Sequence, residues 1–117
     1  MSKMQTRPWG HYKILYENGR CKVKEILVYG RERLSLQSHN HRKEAWTITN
    51  GTGRIELDDE KITVSAGDSV TIDKQQKHRI ENVTDGDLVF IEVQTGEYFG
   101  EDDITRYEDD YGRIDEK

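Results

Sequence analysis

The spacing of its turns constrains this chain most. Asn18-Gly19, Gly30-Arg31-Glu32, Asn50-Gly51-Thr52-Gly53, Asp58-Asp59-Glu60, Ala66-Gly67-Asp68 and Thr84 to Asp87 punctuate it, and many of the intervals are roughly 8–12 residues. Asn-Gly flanked by apolar alternation is a strong hairpin signal. The segments between turns are short, and none before residue 97 sustains a helical period. Nine strands are predicted: His11 to Glu17, Arg20 to Tyr29, Arg33 to His41, Ala45 to Thr49, Arg54 to Leu57, Ile62 to Val64, Val70 to Ile72, His78 to Asn82 and Leu88 to Gln94. In the second of these, Val23 and Leu27 fall on one face, Ile26 and Val28 on the other. Such a pattern folds as a β sandwich or barrel. The 117 residues suit one domain, with a core over about 10–95 and a tail from 96 to 117.

Charge is unevenly spread. Residues 97–117 hold nine Asp/Glu and three Lys/Arg, so this segment carries −6 and the remaining 96 residues sum to +1. A nucleic-acid partner is disfavoured, because no basic stripe exists to displace counterions from phosphates. A near-neutral body with scattered Arg and Lys suits a small anionic ligand. The tail contains Glu101-Asp102-Asp103-Ile104, which could start a helical turn, and Tyr98, Phe99, Ile104 and Tyr107, which predict that it packs back on the barrel. Cys21 is the only cysteine, which fits a reducing cytoplasm. No apolar run reaches membrane-spanning length, and MSKMQTRPWG has no apolar signal core.

Chemistry concentrates in Leu34 to Gly51, LSLQSHNHRKEAWTITNG. Residues two apart on a strand share a face, so Gln37, His39 and His41 point one way and Leu34 and Leu36 the other. After a bend near Arg42-Lys43, Glu44, Trp46 and Ile48 again share a face. Imidazole and carboxylate donors together suit zinc, manganese, iron or nickel, and His78 is the candidate for one further ligand. Trp46, Tyr98 and Phe99 read as packing residues, and His11 as a structural histidine.

The two segments resemble the two cupin motifs. Gly67, Asp73, Gln75, His78 and Asn82 keep the spacing of G-x5-P-x-G-x2-H-x3-N, with Asp73 for proline and Gln75 for glycine. Gln37, His39, Glu44 and Gly51 fit H-x-H-x4-E-x6-G with Gln37 for the first His. The motif's upstream glycine is displaced by one, to Gly30. A register using His39 and His41 as the pair shortens the gap to Glu44. The motif spacing therefore favours Gln37, His39, Glu44 and His78 as metal ligands. RPWGHY (Arg7–Tyr12), RLSLQSHNHRKEAW (Arg33–Trp46), HRIEN (His78–Asn82) and IEVQTGEYFGEDDITRYEDDYGR (Ile91–Arg113) are similar to the C-terminal domain of type II phosphomannose isomerases. In that family the domain usually follows a mannose-1-phosphate guanylyltransferase domain.

That resemblance implies an all-β cupin, a double-stranded β-helix (jelly-roll) barrel with the tail packed on it. It also implies interconversion of mannose 6-phosphate and fructose 6-phosphate with a divalent metal, zinc by preference. Nucleotide-sugar synthesis is not expected, since the chain has no glycine-rich nucleotide loop. Enediol isomerisation needs a base near C1 and C2 and an electrophile on their oxygens. His41, Glu92 and a hydroxide held by the metal are the candidate bases. The resemblance puts weight on Arg42 as a catalytic or substrate-binding residue. Arg79, Arg106 and Arg113 are candidates for the phosphate, because guanidinium forks match its oxygens. Simple alternation turns Arg42 and Arg79 off the inner face, so their reach depends on local bends. Other expectations consistent with the sequence are an iron-dependent cupin oxygenase and a non-catalytic sugar-phosphate-binding module. A homodimer is expected, to cover the outward Leu34–Leu36 face and the edge strands.

Overall fold

The computed structural model describes residues 4–113. The outermost residues of the expected single domain, 1–3 and 114–117, lie outside the described residues. The described chain is all β, with eleven strands: β1 Met4–Arg7, β2 Gly10–Glu17, β3 Cys21–Val28, β4 Leu36–Ser38, β5 Arg42–Asn50, β6 Thr52–Leu57, β7 Glu60–Ser65, β8 Ser69–Ile72, β9 His78–Asn82, β10 Leu88–Gly96 and β11 Thr105–Glu108. They form a six-stranded sheet in the order β1-β2-β3-β10-β5-β8 and a five-stranded sheet in the order β11-β4-β9-β6-β7. Every strand pairing is antiparallel. Both sheets cover one core, built on Ile26, Val28, Trp46, Ile48, Ile55, Ile72, Ile80, Leu88 and Phe90.

Period-two alternation places these residues. In β3 the buried positions are Lys22, Lys24, Ile26 and Val28, and in β5 they are Arg42, Glu44, Trp46 and Ile48. One end of each inner face is therefore apolar and the other ionic. The apolar ends supply most of the burial that stabilises the fold, and the ionic ends meet in a cavity.

Asn82, the last residue of the second motif, is fully buried. Its amide nitrogen donates to Val28 O at 2.9 Å and Gly86 O at 2.7 Å, and its oxygen accepts from Thr84 N at 3.0 Å and Thr84 Oγ1 at 2.9 Å. It thus ties the end of β3 to the turn before β10. Gln75, at the motif's glycine position, has φ +65°. That is a left-handed conformation that glycine adopts without the Cβ penalty. Its amide donates to His39 O at 2.7 Å and so fastens this loop to the first motif.

Several expectations are corrected. The strand expected over Arg33 to His41 is reduced to Leu36–Ser38, with one isolated bridge from Arg33 to Glu81. The helical turn foreseen at Glu101 to Ile104 is a tight turn closed by Asp103 N to Gly100 O at 3.1 Å, and strand β11 follows it. Leu34 does not face outward but packs against the core. Leu36, in β4, is half-buried, so the Leu34–Leu36 pair does not form the single outward face on which the expected dimer rests.

Replacing Asn82 with Ala leaves the carbonyl of buried Val28 without this donor, while the partners at half-buried Thr84 and exposed Gly86 can turn to water. One such buried group costs about 1–3 kcal/mol, so the variant should lose about 1–3 kcal/mol. Urea unfolding of the two proteins checks this.

Candidate metal centre and active site

Three side chains converge at the ionic end of the barrel. His39 follows β4, Glu44 lies on β5 and His78 opens β9, and all three are buried. One donor atom from each lies within 4.8 Å of the others. His39 Nε2 is 3.5 Å from Glu44 Oε2, and His78 Nε2 is 3.7 Å from Glu44 Oε1. The opposite nitrogen of each ring is held by a backbone carbonyl: His39 Nδ1 by Asp103 O at 2.7 Å, His78 Nδ1 by Gln76 O at 2.8 Å. A carbonyl only accepts, so each Nδ1 carries a proton and each Nε2 is the nitrogen turned toward the cluster. This outer support is characteristic of metal-binding imidazoles.

Gln37 faces His78 across the β4–β9 pairing and lines the same cavity. Its amide nitrogen donates to Ser35 Oγ at 3.0 Å. The oxygen is the atom that such an amide offers a cation. Two imidazoles and a carboxylate, buried and fixed from behind, fit a divalent ion such as zinc.

Glu44 is surrounded by donors. Arg42 Nε donates to its Oε2 at 2.8 Å and Trp46 Nε1 to its Oε1 at 3.0 Å. Burial works to protonate Glu44, but His78 and Arg42 outweigh it and hold the carboxyl below the usual range. Trp46 Nε1 also donates to Glu92 Oε2 at 3.1 Å, and Gln94 Nε2 donates to Glu92 Oε1 at 2.6 Å. Trp46 therefore bridges the two carboxyls as well as packing on Phe90. Burial, then the charge of Glu44, pushes Glu92 up to about 7. Burial, Arg42 and His78 push His39 down to about 3, which keeps its ring neutral.

The cavity of about 70 Å³ lies among these groups. Its lining includes the cations Arg7, Lys24, Arg42, Arg79, Arg106 and Arg113 and the carboxylates Glu44, Glu92 and Glu101. Arg42 and Arg79 are 6% and 3% exposed; the outward direction drawn from alternation is corrected for Arg42, while Arg79 keeps it and is buried by other means. The stretch from His39 to His41 is not strand, and it shifts the parity: Arg42 re-enters the sheet on the face of Glu44. Arg79 sits on the strand face opposite its neighbours but is covered by the tail, where Glu108 Oε1 accepts from its Nη2 at 2.5 Å. Its Nε is 3.3 Å from Glu56 Oε1.

The same shift turns His41 outward, so its expected place beside the metal is corrected. It is exposed, its ring edge-on to Tyr98, and it lines a separate shallow hollow with Asn40, Asp102 and Asp103 rather than the cavity.

Sequence reasoning missed Lys24, Glu101 and Asp103. Lys24 is 4% exposed, pairs in register with Glu92, donates to Glu101 Oε2 at 2.7 Å and lies 4.2 Å from the Tyr12 ring centre. The signal was present: alternation puts it on the face of Ile26 and Val28. Asp103 uses its backbone carbonyl for His39 and its carboxylate for the amides of Asn40 and His41, at 2.9 and 3.0 Å. The tail thus shapes the first motif directly.

An antiparallel double-stranded barrel with a His/His/Glu cluster inside it is a cupin. Solved structures agree on the fold. A Klebsiella pneumoniae protein with a double-stranded β-helix domain superposes with TM-score 0.76 at 16% identity, covering 89% of both chains. The Staphylococcus aureus capsular polysaccharide assembling protein CapF superposes with TM-score 0.77 at 23% identity, covering 92% of this chain and 32% of CapF. The chain belongs to the family described as Mannose-6-phosphate isomerase C-terminal, which matches residues 1–109. Relatives include the alginate biosynthesis protein AlgA of Pseudomonas aeruginosa, 44% identical over 94% of this chain, and the mannose-1-phosphate guanylyltransferase ManC of Salmonella typhimurium, 40% identical over 92%. The chain spans 23% and 22% of the lengths of these two relatives. Among the described residues no helix is long and apolar enough to cross a membrane.

Glu92 gives a pH test. Its folded value near 7 lies above the unfolded carboxylate range near 4.3. Between these values the folded protein keeps a proton that the unfolded chain releases, so stability falls as pH rises through the window. Glu92→Gln removes the effect, and Gln94 can turn its amide to accept from the new one. Relative to the parent, the variant should gain up to about 3 kcal/mol between pH 4 and pH 8. Urea unfolding in chelator-treated buffer across that range measures it.

Proposed function

We propose that this domain is a metal-dependent isomerase interconverting mannose 6-phosphate and fructose 6-phosphate. The observation that carries this reading is Glu92. Its buried carboxyl shares one cavity with the His39, Glu44 and His78 cluster and is joined to it through the indole of Trp46, which donates to both Glu44 and Glu92. Burial raises this carboxyl from its ordinary range, which suits a group that must both take and return a proton.

Gln37, His39, Glu44 and His78 would hold the ion, zinc by preference, with manganese, iron and nickel as alternatives. When bound it would polarise the sugar's carbonyl and hydroxyl oxygens as a Lewis acid, with no change of oxidation state. Glu92 removes the proton from C2 of the open-chain aldose, and the C2–H electron pair forms the C1–C2 double bond of the enediolate. Glu92, whose captured proton can exchange with solvent, delivers a proton to C1, and the hydroxyl proton of O2 passes to O1, which leaves the ketose. Lys24 and Arg42 supply positive charge beside the enediolate oxygens. The cavity has room for about five waters, so the reacting carbons enter it and the rest of the sugar phosphate lies toward the wall. Arg79, Arg106 and Arg113 on that wall bind the phosphate. The reading goes with a reducing cytoplasm, supported by the unpaired thiol of Cys21.

Isomerase activity on mannose 6-phosphate, measured with zinc or manganese added back to chelated protein, tests the proposal. Incorporation of solvent deuterium at C2 is measured alongside. Glu92→Gln should lower kcat by about 10²–10⁴, and His39→Ala with Glu44→Ala should remove activity. His41→Ala should stay within a few-fold of the parent. Inactivity with every metal would sink the isomerase reading. Ligand binding without exchange would make the domain a binding module, and oxygen uptake with iron would make it an oxygenase.

A further inference from the structure

Arg42 occupies a position that the metal reading alone does not explain. Its Nη2 donates to His39 Nε2 at 3.3 Å, while its Nε donates to Glu44 Oε2 at 2.8 Å. His39 Nδ1 already carries a proton, donated to Asp103 O, so Nε2 has a single in-plane lone pair. That lone pair cannot accept from a guanidinium and coordinate a metal at once. Arg42 Nη1, in addition, is buried with no hydrogen-bond partner, and the cavity it lines is the one that would receive an anionic substrate.

We propose that Arg42 competes with the metal for His39 and, once displaced, becomes a binding group for an anionic ligand, so that metal and anion bind cooperatively. This rests on the metal reading above. In the closed arrangement the guanidinium neutralises Glu44 and blocks one ligand. Metal entry takes the lone pair of His39 and sets two cations side by side. The guanidinium then swings from His39 into the cavity, where Nη1 and Nη2 offer a fork to phosphate or enediolate oxygens. Linkage makes the effect reciprocal: an anion that holds the swung arginine strengthens metal binding by the factor by which metal strengthens anion binding.

Cobalt(II) titration of the full chain, followed by calorimetry and by the visible d–d bands, tests this. Arg42→Met should bind cobalt ~10-fold or more tightly than the parent, the scale of a lost charge-assisted hydrogen bond. Lys24→Met removes a positive charge from the same cavity without touching a ligand, and should tighten binding much less. Sulfate should strengthen cobalt binding in the parent and not in Arg42→Met. Equal affinities in the parent and Arg42→Met, equal tightening in both variants, or sulfate coupling that survives in Arg42→Met would overturn the inference and leave the metal site standing. Failure of every form to bind cobalt would sink the metal reading with it. Should Arg42→Met not fold, the parent still decides. Its Arg42 Nε–H resonance should shift as zinc is added, and an unmoved resonance at zinc saturation would refute displacement.

Discussion

The buried carboxylate of Glu44 is the constraint around which the site is built. It is 2% exposed, and an ionised group so far from water persists only when its charge is met and its lone pairs are filled. Arg42 and Trp46, two positions to either side on β5, donate to its two oxygens. His39 and His78 arrive from other segments and stand against it. The ionisation of Glu44 then raises the neighbouring carboxyl of Glu92. Around neutral pH the pair holds one full charge and one proton in exchange, a division of roles set by surroundings rather than residue type. The remainder of the barrel holds these side chains in register.

The acidic tail is the second structural element of the site. A segment of net charge −6 would ordinarily stay solvated. Its carboxylates instead find fixed partners: Glu101 meets Lys24, Glu108 meets Arg79, Asp110 grips Arg33 with both oxygens, and Asp109 does the same for Arg113. Asp103 holds both the ring of His39 and the loop that carries it. The near-neutral body and the acidic tail are two halves of one electrostatic arrangement.

Much of this was legible in the sequence. The turn residues and period-two alternation yield nine of the eleven strands, and the spacing of His39, Glu44 and His78 carries the ligand cluster. β1 and β11 were missed because Met4–Arg7 has little apolar alternation and Thr105–Glu108 lies within a run of acid. Arg42 and His41 were assigned to the wrong sides for one reason. Counting by twos assumes continuous strand, and the irregular stretch at Asn40-His41 breaks the count. Glu101 and Asp103 depend on contacts between residues more than sixty positions apart, which no local pattern encodes. Lys24 shares the face of Ile26 and Val28 by alternation, but Val23 and Leu27 make the opposite face apolar too, so only the register with Glu92 shows which face is inside.

The proposed chemistry depends on a metal held by these side chains. Anomalous diffraction from crystals of the zinc-loaded protein, with data above and below the zinc absorption edge, tests it most directly. The predicted result is one strong peak within bonding distance of His39 Nε2, His78 Nε2 and a carboxylate oxygen of Glu44, with the Gln37 amide oxygen completing the set. A peak coordinated elsewhere, or none at saturating zinc, would contradict it.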